Sequence, residues 1–442
     1  MPQRGQITTL QQRVEIGERA KAGESDAQIA ATLGLSVWTV RKWRRKEHKE
    51  GRIGLASRPG RPPTGALGAA PPVVREAVHT LRKQYPGWGP QTLRVELEDD
   101  PQLAGQPLPS RSRIAAFLRQ KKLARPYEHH TELAQPSPVI AHTAHEEWEL
   151  DAQGVVTVNG LGRVSLIDIG DTFSRLKVEC WPCVDSTKPT TEDYQLACRR
   201  AFLRYGLPQR ITLDHDSAFY DNTCASPFPS RFHLWLIGLG VEVRFIQQPP
   251  PADHAFIERT HQLMTQQALA GQTFTDAAAC HQATTARLDF LNRRYPSRSL
   301  QGRAPLEAHP EASHSGREYD PYDEAAQFDL ARVHAYLASH RWFRQVSAQG
   351  QFSLGAHRYG VGKAWANQTV EITFDPTQQV FVCRSEDGQH TLQLPAQGLT
   401  KVDLLGELPP WEKLPAYQRR LPLSPAAWRE NILYQEMAGT IL

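Results

Sequence analysis

Three short blocks between residues 148 and 262 decide the fold: WELD at 148–151, LDHDSAF at 213–219 and PPPADHAFIERTHQ at 249–262. The first two blocks are typical of β-strands that end in a carboxylate, and the third opens a helix. Each block contains one acidic residue that is a candidate functional residue: Asp151, Asp214 and Glu258.

The segment around these blocks alternates strands and helices. Two further β-type runs, VSLIDIGD at 164–171 and LKVECW at 176–181, follow the first block across the turn sequences NGLG and TFSR. The elements predicted after them are a helix over about 191–205, a strand over 210–214, a helix over about 231–239 and a strand over 241–246. Three hairpin-linked strands followed by alternating helices and strands predict a mixed α/β sheet flanked by helices, which is the order of the ribonuclease H-like fold.

The three acidic blocks resemble those of the retroviral integrase superfamily and of the bacterial insertion-sequence transposases that share its core. The resemblance implies that Asp151, Asp214 and Glu258 are the catalytic DDE residues. Asp214 lies 63 positions after Asp151, and Glu258 lies 44 positions after Asp214. The second separation is longer than is common in the family, and the segment DNTCASPFPSR at 221–231 is interpreted as the insertion responsible.

The chemistry of phosphodiester cleavage gives an independent reason for three carboxylates to converge. Two divalent cations about 4 Å apart can activate the attacking oxygen and stabilise the leaving oxygen. Mg²⁺ and Mn²⁺ prefer oxygen ligands, so two such ions per active site are expected. In this interpretation Asp151 bridges both ions, and Asp214 and Glu258 each complete one metal site. Acidic residues also end strands and decorate helices in any soluble protein, so each residue alone has a structural alternative.

Other polar residues nearby compete for a role in this site. Asp168 and Asp171 flank a strand that reads as buried, and they are interpreted as turn and strand-end residues. Asp216 lies two positions past Asp214, so on a continuing strand it would face the same side and replace it as a ligand. His261, one helical turn after the glutamate, is a candidate phosphate contact or proton carrier, or else an ordinary exposed histidine.

The first 50 residues are typical of a helix-turn-helix DNA-binding domain. Three short helices are expected, with Ser25 and Gln28 forming a capping box, Gly34 ending the second helix and Ser36 capping the third. Val37, Val40 and Trp43 are expected to face inward on the third helix. The pattern SDAQIAATLGLSVWTVRKWRR resembles homeodomain-like bacterial DNA-binding modules, whose last helix enters the major groove. A small helical bundle with a solvated basic face is the alternative.

The distribution of charge also favours a polyanionic partner for the N-terminal part. Residues 1–130 carry 23 basic and 12 acidic side chains, a balance of +11, whereas the remainder carries a balance of −7. The predicted DNA contacts are Trp38, Arg41, Lys42, Arg44, Arg45, Arg58, Arg61, Arg111 and Arg113.

Composition and residue patterns divide the chain into six predicted regions. A Gly- and Pro-rich stretch marks a linker, a second helical pattern follows it, and alternating apolar and polar residues mark a late β-domain. That late domain resembles the C-terminal β-barrel of phage Mu-type transposases. The predicted regions are a helix-turn-helix domain at 1–50, a linker at 51–72, a second helix-turn-helix or winged-helix-like DNA-binding domain at 73–130, a ribonuclease H-like catalytic core at 139–310, a small β-barrel at 325–405 and a tail at 406–442.

Composition excludes several other classes of protein. The 442 residues are 40% apolar and 22% charged with a mean hydropathy of −0.50, which is ordinary for a soluble globular protein. No apolar run approaches the roughly 20 residues that cross a bilayer, and a cytoplasmic location is expected. Six cysteines are too few for a disulfide scaffold, and CWPC at 180–183 alone is a weak zinc signal.

The sequence therefore predicts a DNA transposase or integrase that binds element-end DNA, nicks it at the 3′ end and joins it to target DNA. The resemblance implies a dimer or tetramer on double-stranded DNA and leaves any helper ATPase unidentified. His215-Asp216 and Asp253-His254 stand where relatives usually carry Asn-Gly. This departure keeps a second hypothesis open, a DNA-binding regulator with a catalytically inactive ribonuclease H-like domain. A nuclease that cuts without joining is a third hypothesis.

Overall fold

A computed structural model describes residues 8–56, 65–124, 141–184, 188–216, 218–220, 224–246, 255–321 and 323–406. The predicted DNA contacts Arg58 and Arg61 and nearly all of the predicted tail lie outside the described residues. The chain divides into two compact units. The first comprises 1–70 with 116–122, and the second comprises 71–115 with 123–442.

The first unit contains the three predicted helices. They are α1 (Leu10–Lys21), α2 (Asp26–Leu33) and α3 (Val37–Glu50). The predicted capping box of Ser25 and Gln28 is present, and the Ser36 hydroxyl accepts a hydrogen bond from a backbone N–H in the first turn of α3. These caps satisfy backbone N–H groups that would otherwise lack a partner at a helix start.

A small apolar core holds these three helices together. Its buried members are Ile16, Ile29, Ala30, Val40, Trp43 and Leu55. Leu55 belongs to a 3-10 helix, Gly51–Leu55, so ordered structure extends past the boundary predicted at residue 50. The expectation that Val37 faces inward is wrong, because it is 37% exposed. Arg13 is buried instead, with its guanidinium 4.1 Å from the Trp43 ring centroid.

The second unit is organised around a five-stranded mixed sheet. Its strands are β1 (Glu147–Val158), β2 (Gly162–Asp171), β3 (Lys177–Cys183), β4 (Arg210–Leu213) and β5 (Glu242–Phe245). The order across the sheet is β3-β2-β1-β4-β5, with β1, β2 and β3 antiparallel and β4 and β5 parallel to β1. This arrangement is the predicted ribonuclease H-like fold.

At the start of β1, apolar and acidic side chains alternate and therefore lie on opposite faces of the sheet. Trp148 and Leu150 are fully buried in the main core. That core includes side chains of α7 (Thr191–Tyr205) and α8 (Arg231–Gly238). Glu147, Glu149 and Asp151 alternate with these apolar residues and therefore lie on the opposite face. The helices that pack near that face are α9 (Ala255–Met264), which contacts β1 and β2, and α10 (Ala277–Arg293), which contacts β3.

Helices α4 (Pro72–Gln84) and α5 (Pro90–Asp99) belong to the second unit and pack against its core. The Trp88 indole N–H donates to the carbonyl of Gln267 at 2.9 Å. Gln267 lies in a π-helical turn, Thr265–Leu269, that directly follows α9. The Arg287 guanidinium stacks 4.4 Å from the Trp88 ring centroid and pairs with Glu96 at 2.8 Å. Helix α6 (Arg111–Gln120) follows, and the domain boundaries at 73 and 130 remain predictions.

The C-terminal part of the described chain contains short helices and two antiparallel sheets. The helices are α11 (Pro305–Ala308), α12 (Glu324–Gln327), α13 (Leu330–Ala338) and α14 (Lys401–Leu405). The strands are β6 (Trp342–Gln345), β7 (Gln351–Leu354), β8 (His357–Gly360), β9 (Thr369–Asp375), β10 (Val380–Arg384) and β11 (Thr391–Pro395).

These strands correspond to the predicted C-terminal β-domain. One sheet has the order β11-β10-β9-β6, and β7 and β8 form a separate hairpin. The ring of Tyr359, from the hairpin, lies 5.6 Å from that of Phe381 in the larger sheet, so the two share a core. Among the described residues, no helix has the length and apolar character needed to cross a membrane.

Candidate active site

The register of two parallel strands places two of the predicted acids side by side. Strands β1 and β4 pair Glu149 with Thr212. Asp151 lies two residues past Glu149 in β1, and Asp214 lies two residues past Thr212, directly after the end of β4. The Asp151 side chain is 25% exposed, and Asp214 is half-buried. Asp214 follows the end of its strand as predicted, but the expectation that Asp151 ends its strand is wrong, because β1 continues to Val158.

A buried tyrosine lies beside the same carboxylates. Tyr194 on α7 is only 2% exposed, and its burial raises the pKa of its phenol. The negative charges of Asp216, Asp214 and Asp151 raise that pKa further. The charges of all three acids therefore act on the same phenol. Sequence reasoning missed Tyr194, since nothing in a helical pattern distinguishes it from a core residue.

The position of Asp216 follows from where β4 ends. The strand stops at Leu213, so the condition under which Asp216 would face the same side as Asp214, a continuing strand, is not met. The backbone N–H of Asp216 donates to Oδ1 of Asp214 at 3.0 Å. Oδ1 of Asp216 in turn accepts the N–H of Ala218 at 2.8 Å. The two acids are therefore linked within one turn, and the Asp216 side chain stabilises that turn.

The third predicted acid, Glu258, lies in the first turn of α9 and is exposed. Within the described ranges, no group of three or more His, Cys, Asp or Glu side chains is arranged to hold a metal ion. The structure thus brings Asp151 and Asp214 together without gathering Glu258 with them into one metal-binding group. The six cysteines are free thiols, and Cys180 and Cys183 of the CWPC motif lie buried in β3.

His261 connects this edge of the sheet to α9. Its Nε2 lies 3.0 Å from Oδ2 of Asp151, and its Nδ1 lies 2.5 Å from Oδ2 of Asp168. Burial alone would lower the pKa of His261, but the hydrogen bonds to Asp151 and Asp168 outweigh it and raise the pKa to about 10. The ring is therefore an imidazolium at neutral pH and donates through both nitrogens.

Two expectations about these residues are wrong. His261 is not an ordinary exposed histidine, because it is only 6% exposed. Asp168 is not a turn residue, because it lies inside β2, directly opposite Asp151, and is fully buried. Asp171 does end its strand as expected, and its carboxylate accepts the backbone N–H and hydroxyl of Ser174.

An ionic network extends along the same face of the sheet. Glu147 accepts hydrogen bonds from Arg244 at 2.5 Å, from the Thr212 hydroxyl at 2.6 Å and from Arg210 at 3.3 Å. Glu149, between Glu147 and Asp151 on this face, is buried, and that burial raises its pKa to about 7. One local pattern points to this network: acidic residues alternate with apolar ones in EWELD at 147–151.

The predicted DNA contacts on α3 are exposed. Trp38 is 70% exposed, and the Lys42 ammonium lies 5.5 Å from its ring centroid. Arg41 and Arg44 both reach Asp26 in α2, at 3.3 and 2.7 Å. The hydrogen bond from Arg44 is the main reason that the pKa of Asp26 lies below its usual value. Three further predicted contacts are also exposed: Arg45 on α3, and Arg111 and Arg113 at the start of α6.

Comparisons with known proteins bear on both units. Residues 12–63 match the family model described as a helix-turn-helix domain. The catalytic core of HTLV-2 integrase, in complex with magnesium and in its dimeric form, is similar at 15% identity over 38% of this chain and 97% of that chain, with a TM-score of 0.27. The catalytic core of BIV integrase is similar at 17% identity over 38% of this chain and 96% of that chain, with a TM-score of 0.26.

A larger assembly is also among the similar structures. A chain of the simian T-cell lymphotropic virus intasome, in complex with the PP2A regulatory subunit B56 gamma, is 12% identical over 72% of this chain and 96% of that chain, with a TM-score of 0.31. The fold assignment of the core rests on the strand order and directions of its own sheet. This protein combines an N-terminal helix-turn-helix domain with a ribonuclease H-like core. These are the two parts that the sequence resemblance to transposases and integrases implied, and both are confirmed.

Proposed function

We propose that this protein is a DNA transposase or integrase that binds element-end DNA, nicks it at the 3′ end and transfers that end into target DNA. The observation that carries the proposal is the parallel pairing of β1 with β4, because Asp151 and Asp214 each lie two residues beyond the last pair in that register. A helix-turn-helix domain on the same chain supplies a means of binding DNA.

The proposed site residues are suited to divalent cations. All three predicted ligands are carboxylates, and Mg²⁺ and Mn²⁺ bind preferentially to oxygen. Asp151 and Asp214 are neighbours, and Glu258 lies on α9, the helix that His261 joins to Asp151. In this proposal Asp151, Asp214 and Glu258 hold two ions, which when bound would activate the attacking oxygen and stabilise the leaving one.

The proposed reaction consists of two displacements at phosphorus. Water attacks the phosphodiester at an element end, which breaks the P–O3′ bond and leaves a 3′ hydroxyl and a 5′ phosphate. That hydroxyl then attacks a phosphodiester of the target strand, which forms the new P–O3′ bond and releases a target 3′ hydroxyl. Since joining two ends requires two active sites, we include in the proposal a dimer or tetramer assembled on DNA.

One observation favours the second hypothesis, a DNA-binding regulator with an inactive core. In the described residues the three predicted ligands do not form one metal-binding group, and Asp151 is already hydrogen-bonded to His261. A regulator would use the same helix-turn-helix domain and would need no metal. The two hypotheses therefore differ in catalysis and agree in DNA binding.

The deciding experiment uses the full chain and DNA that carries inverted repeats taken from the flanks of its coding region. We expect 3′ nicking and joined products with Mg²⁺ or Mn²⁺, and neither product with chelator. Asp151→Asn, Asp214→Asn and Glu258→Gln are nearly isosteric and should each abolish both products while leaving end binding intact. Glu242→Gln is a matched control, because this carboxylate is 72% exposed on the edge strand β5 and lies outside the proposed ligand set.

The possible outcomes separate the hypotheses. If the wild type binds these ends but neither nicks nor joins them with either metal, the regulator replaces the transposase. If nicking occurs without joining, the protein is a nuclease. If Asp216→Asn abolishes activity and Asp214→Asn does not, the second ligand is Asp216.

A further inference from the structure

His261 is held by two carboxylates from two different strands. Asp168 in β2 and Asp151 in β1 are directly opposite each other in the antiparallel register. Each gives its Oδ2 atom to one ring nitrogen of His261, at 2.5 and 3.0 Å. Both ring nitrogens are therefore used, and the plane and rotation of the imidazole are fixed by two contacts rather than one.

The three side chains become more exposed in the order Asp168, His261, Asp151. Asp168 is fully buried, and the His261 side chain is 8% exposed, whereas the Asp151 side chain is 25% exposed. The inner pair is thus shielded from solvent, and only the outer carboxylate reaches the surface beside Asp214. A buried carboxylate on one side of a histidine commonly orients that ring toward a functional group on the other side.

The same contact also fixes α9 against the sheet. His261 lies one helical turn after Glu258, so the two are neighbours on the surface of α9, with His261 buried against the sheet and Glu258 exposed. A shift of α9 relative to β1 would break the hydrogen bond to Asp151. The position of Glu258 along the sheet edge is in this way linked to the position of Asp151.

We infer that His261, fixed by Asp168, is a positioning residue that sets the orientation of Asp151 and the placement of α9 for cation binding. The inference rests on the proposed function, because it assigns His261 a role toward the ions that Asp151 is proposed to hold. His261 does not itself contact substrate or metal in this scheme. It acts through the carboxylate that it orients.

The test uses three variants of His261 in the full chain. His261→Asn carries an amide at about the level of Nδ1, so it can still reach Asp168 but not Asp151. His261→Gln carries an amide near the level of Nε2, so it can still reach Asp151. His261→Ala removes both contacts. His281→Gln is a matched control, because His281 on α10 bonds the backbone carbonyl of Pro182 and stacks on the Trp181 ring.

Two readouts separate positioning from general stability. Mn²⁺ affinity of the protein without DNA is measured by electron paramagnetic resonance, and the Mg²⁺ concentration for half-maximal nicking is measured on end DNA. We expect His261→Ala and His261→Asn to weaken Mn²⁺ binding and raise that Mg²⁺ concentration about 10- to 100-fold. His261→Gln should recover most of the loss, and His281→Gln should behave as the wild type. Thermal melting of each variant shows whether it is folded. The comparison of His261→Asn with the wild type decides the test, so only this variant needs to be folded.

The outcomes distinguish this inference from the proposed function. If the wild type binds Mn²⁺ and nicks DNA, but His261→Asn has the same Mn²⁺ affinity and Mg²⁺ requirement, only the positioning role is overturned. Tighter Mn²⁺ binding by His261→Asn would also overturn it, because His261 would then compete with the ions for Asp151. If the wild type neither binds Mn²⁺ nor nicks end DNA, both the proposed function and this inference are wrong.

Discussion

Replacing Arg41 and Arg44 with alanine together should weaken DNA binding in a way that depends strongly on salt. Both side chains are exposed on α3, by 62% and 51%, on the helix that enters the major groove in helix-turn-helix proteins. Each phosphate that a protein neutralises contributes about 0.9 to the slope of log affinity against log salt concentration. Loss of both arginines should therefore reduce that slope by up to about 1.8.

The slope converts directly into a change in affinity. Relative to about 1 M salt, at which the two proteins are taken to bind equally, a loss of about 1.8 in slope corresponds at 100 mM salt to about 60-fold weaker binding, or about 2.5 kcal/mol. Between 50 and 200 mM salt the ratio of wild-type to variant affinity should shrink about 12-fold. The expected effect is smaller if Asp26 keeps its contacts to both guanidinium groups when DNA binds, since the arginines would then be shared. Asp26→Asn releases them and should strengthen binding.

The assay is fluorescence anisotropy of a labelled duplex titrated with the full chain at four salt concentrations. Arg19→Ala is the matched control, because this arginine lies on α1 and pairs with Glu15 and Glu24. An unchanged salt slope in the double variant would refute the assignment of α3 as the DNA-contacting helix. An equal loss of affinity in Arg19→Ala would show that the effect comes from net charge alone.

Two further predictions concern stability. Trp88→Ala removes the hydrogen bond to Gln267 and the stacking with Arg287, and should lower the free energy of unfolding by about 3–5 kcal/mol. Trp88→Phe should lower it by only about 1 kcal/mol. Equal urea midpoints for both variants and the wild type would contradict this prediction. Burial lowers the pKa of His145 to about 4, and its neutral ring accepts the Trp148 indole N–H at 3.1 Å. The unfolded chain, with a pKa of about 6.5, takes up a proton first, so this histidine should reduce stability by up to about 3 kcal/mol as the pH falls from 6.5 to 4. Urea unfolding of His145→Gln across this range should show a weaker pH dependence, and an unchanged dependence would rule the mechanism out.

The parts of the fold that depend on local pattern could be predicted from the sequence. Helix α7 has the predicted bounds, and β4 and α8 each end one residue before the predicted position. The proximity of Asp151 and Asp214 could also be anticipated, because one lies in β1 and the other directly follows β4, its parallel neighbour. These features follow from the periodicity of side chains along each element and from the signals that begin and end it.

The residues that could not be predicted depend on which elements face each other. His261 and Asp168 are 93 positions apart, and the buried ion pair of Arg199 with Glu324 spans 125 positions. Periodicity tells which face of a helix is apolar, but it does not tell which strand that face will cover. The interpretation of Asp168 as a turn residue failed for this reason. The burial of this carboxylate inside β2 is explained by its hydrogen bond to His261 on α9, which the local sequence pattern does not reveal.

The contact between Trp88 and the π-helical turn has a consequence for the order of events during synthesis. The two partners are 179 positions apart in the chain. At about 5–20 residues per second, Gln267 is made roughly 10 to 40 seconds after Trp88. During that interval the face of α4 and α5 that later meets the core is present without its partner. Docking of these helices through Trp88 therefore cannot begin before residue 267 has been synthesised, so translation sets a minimum time for it.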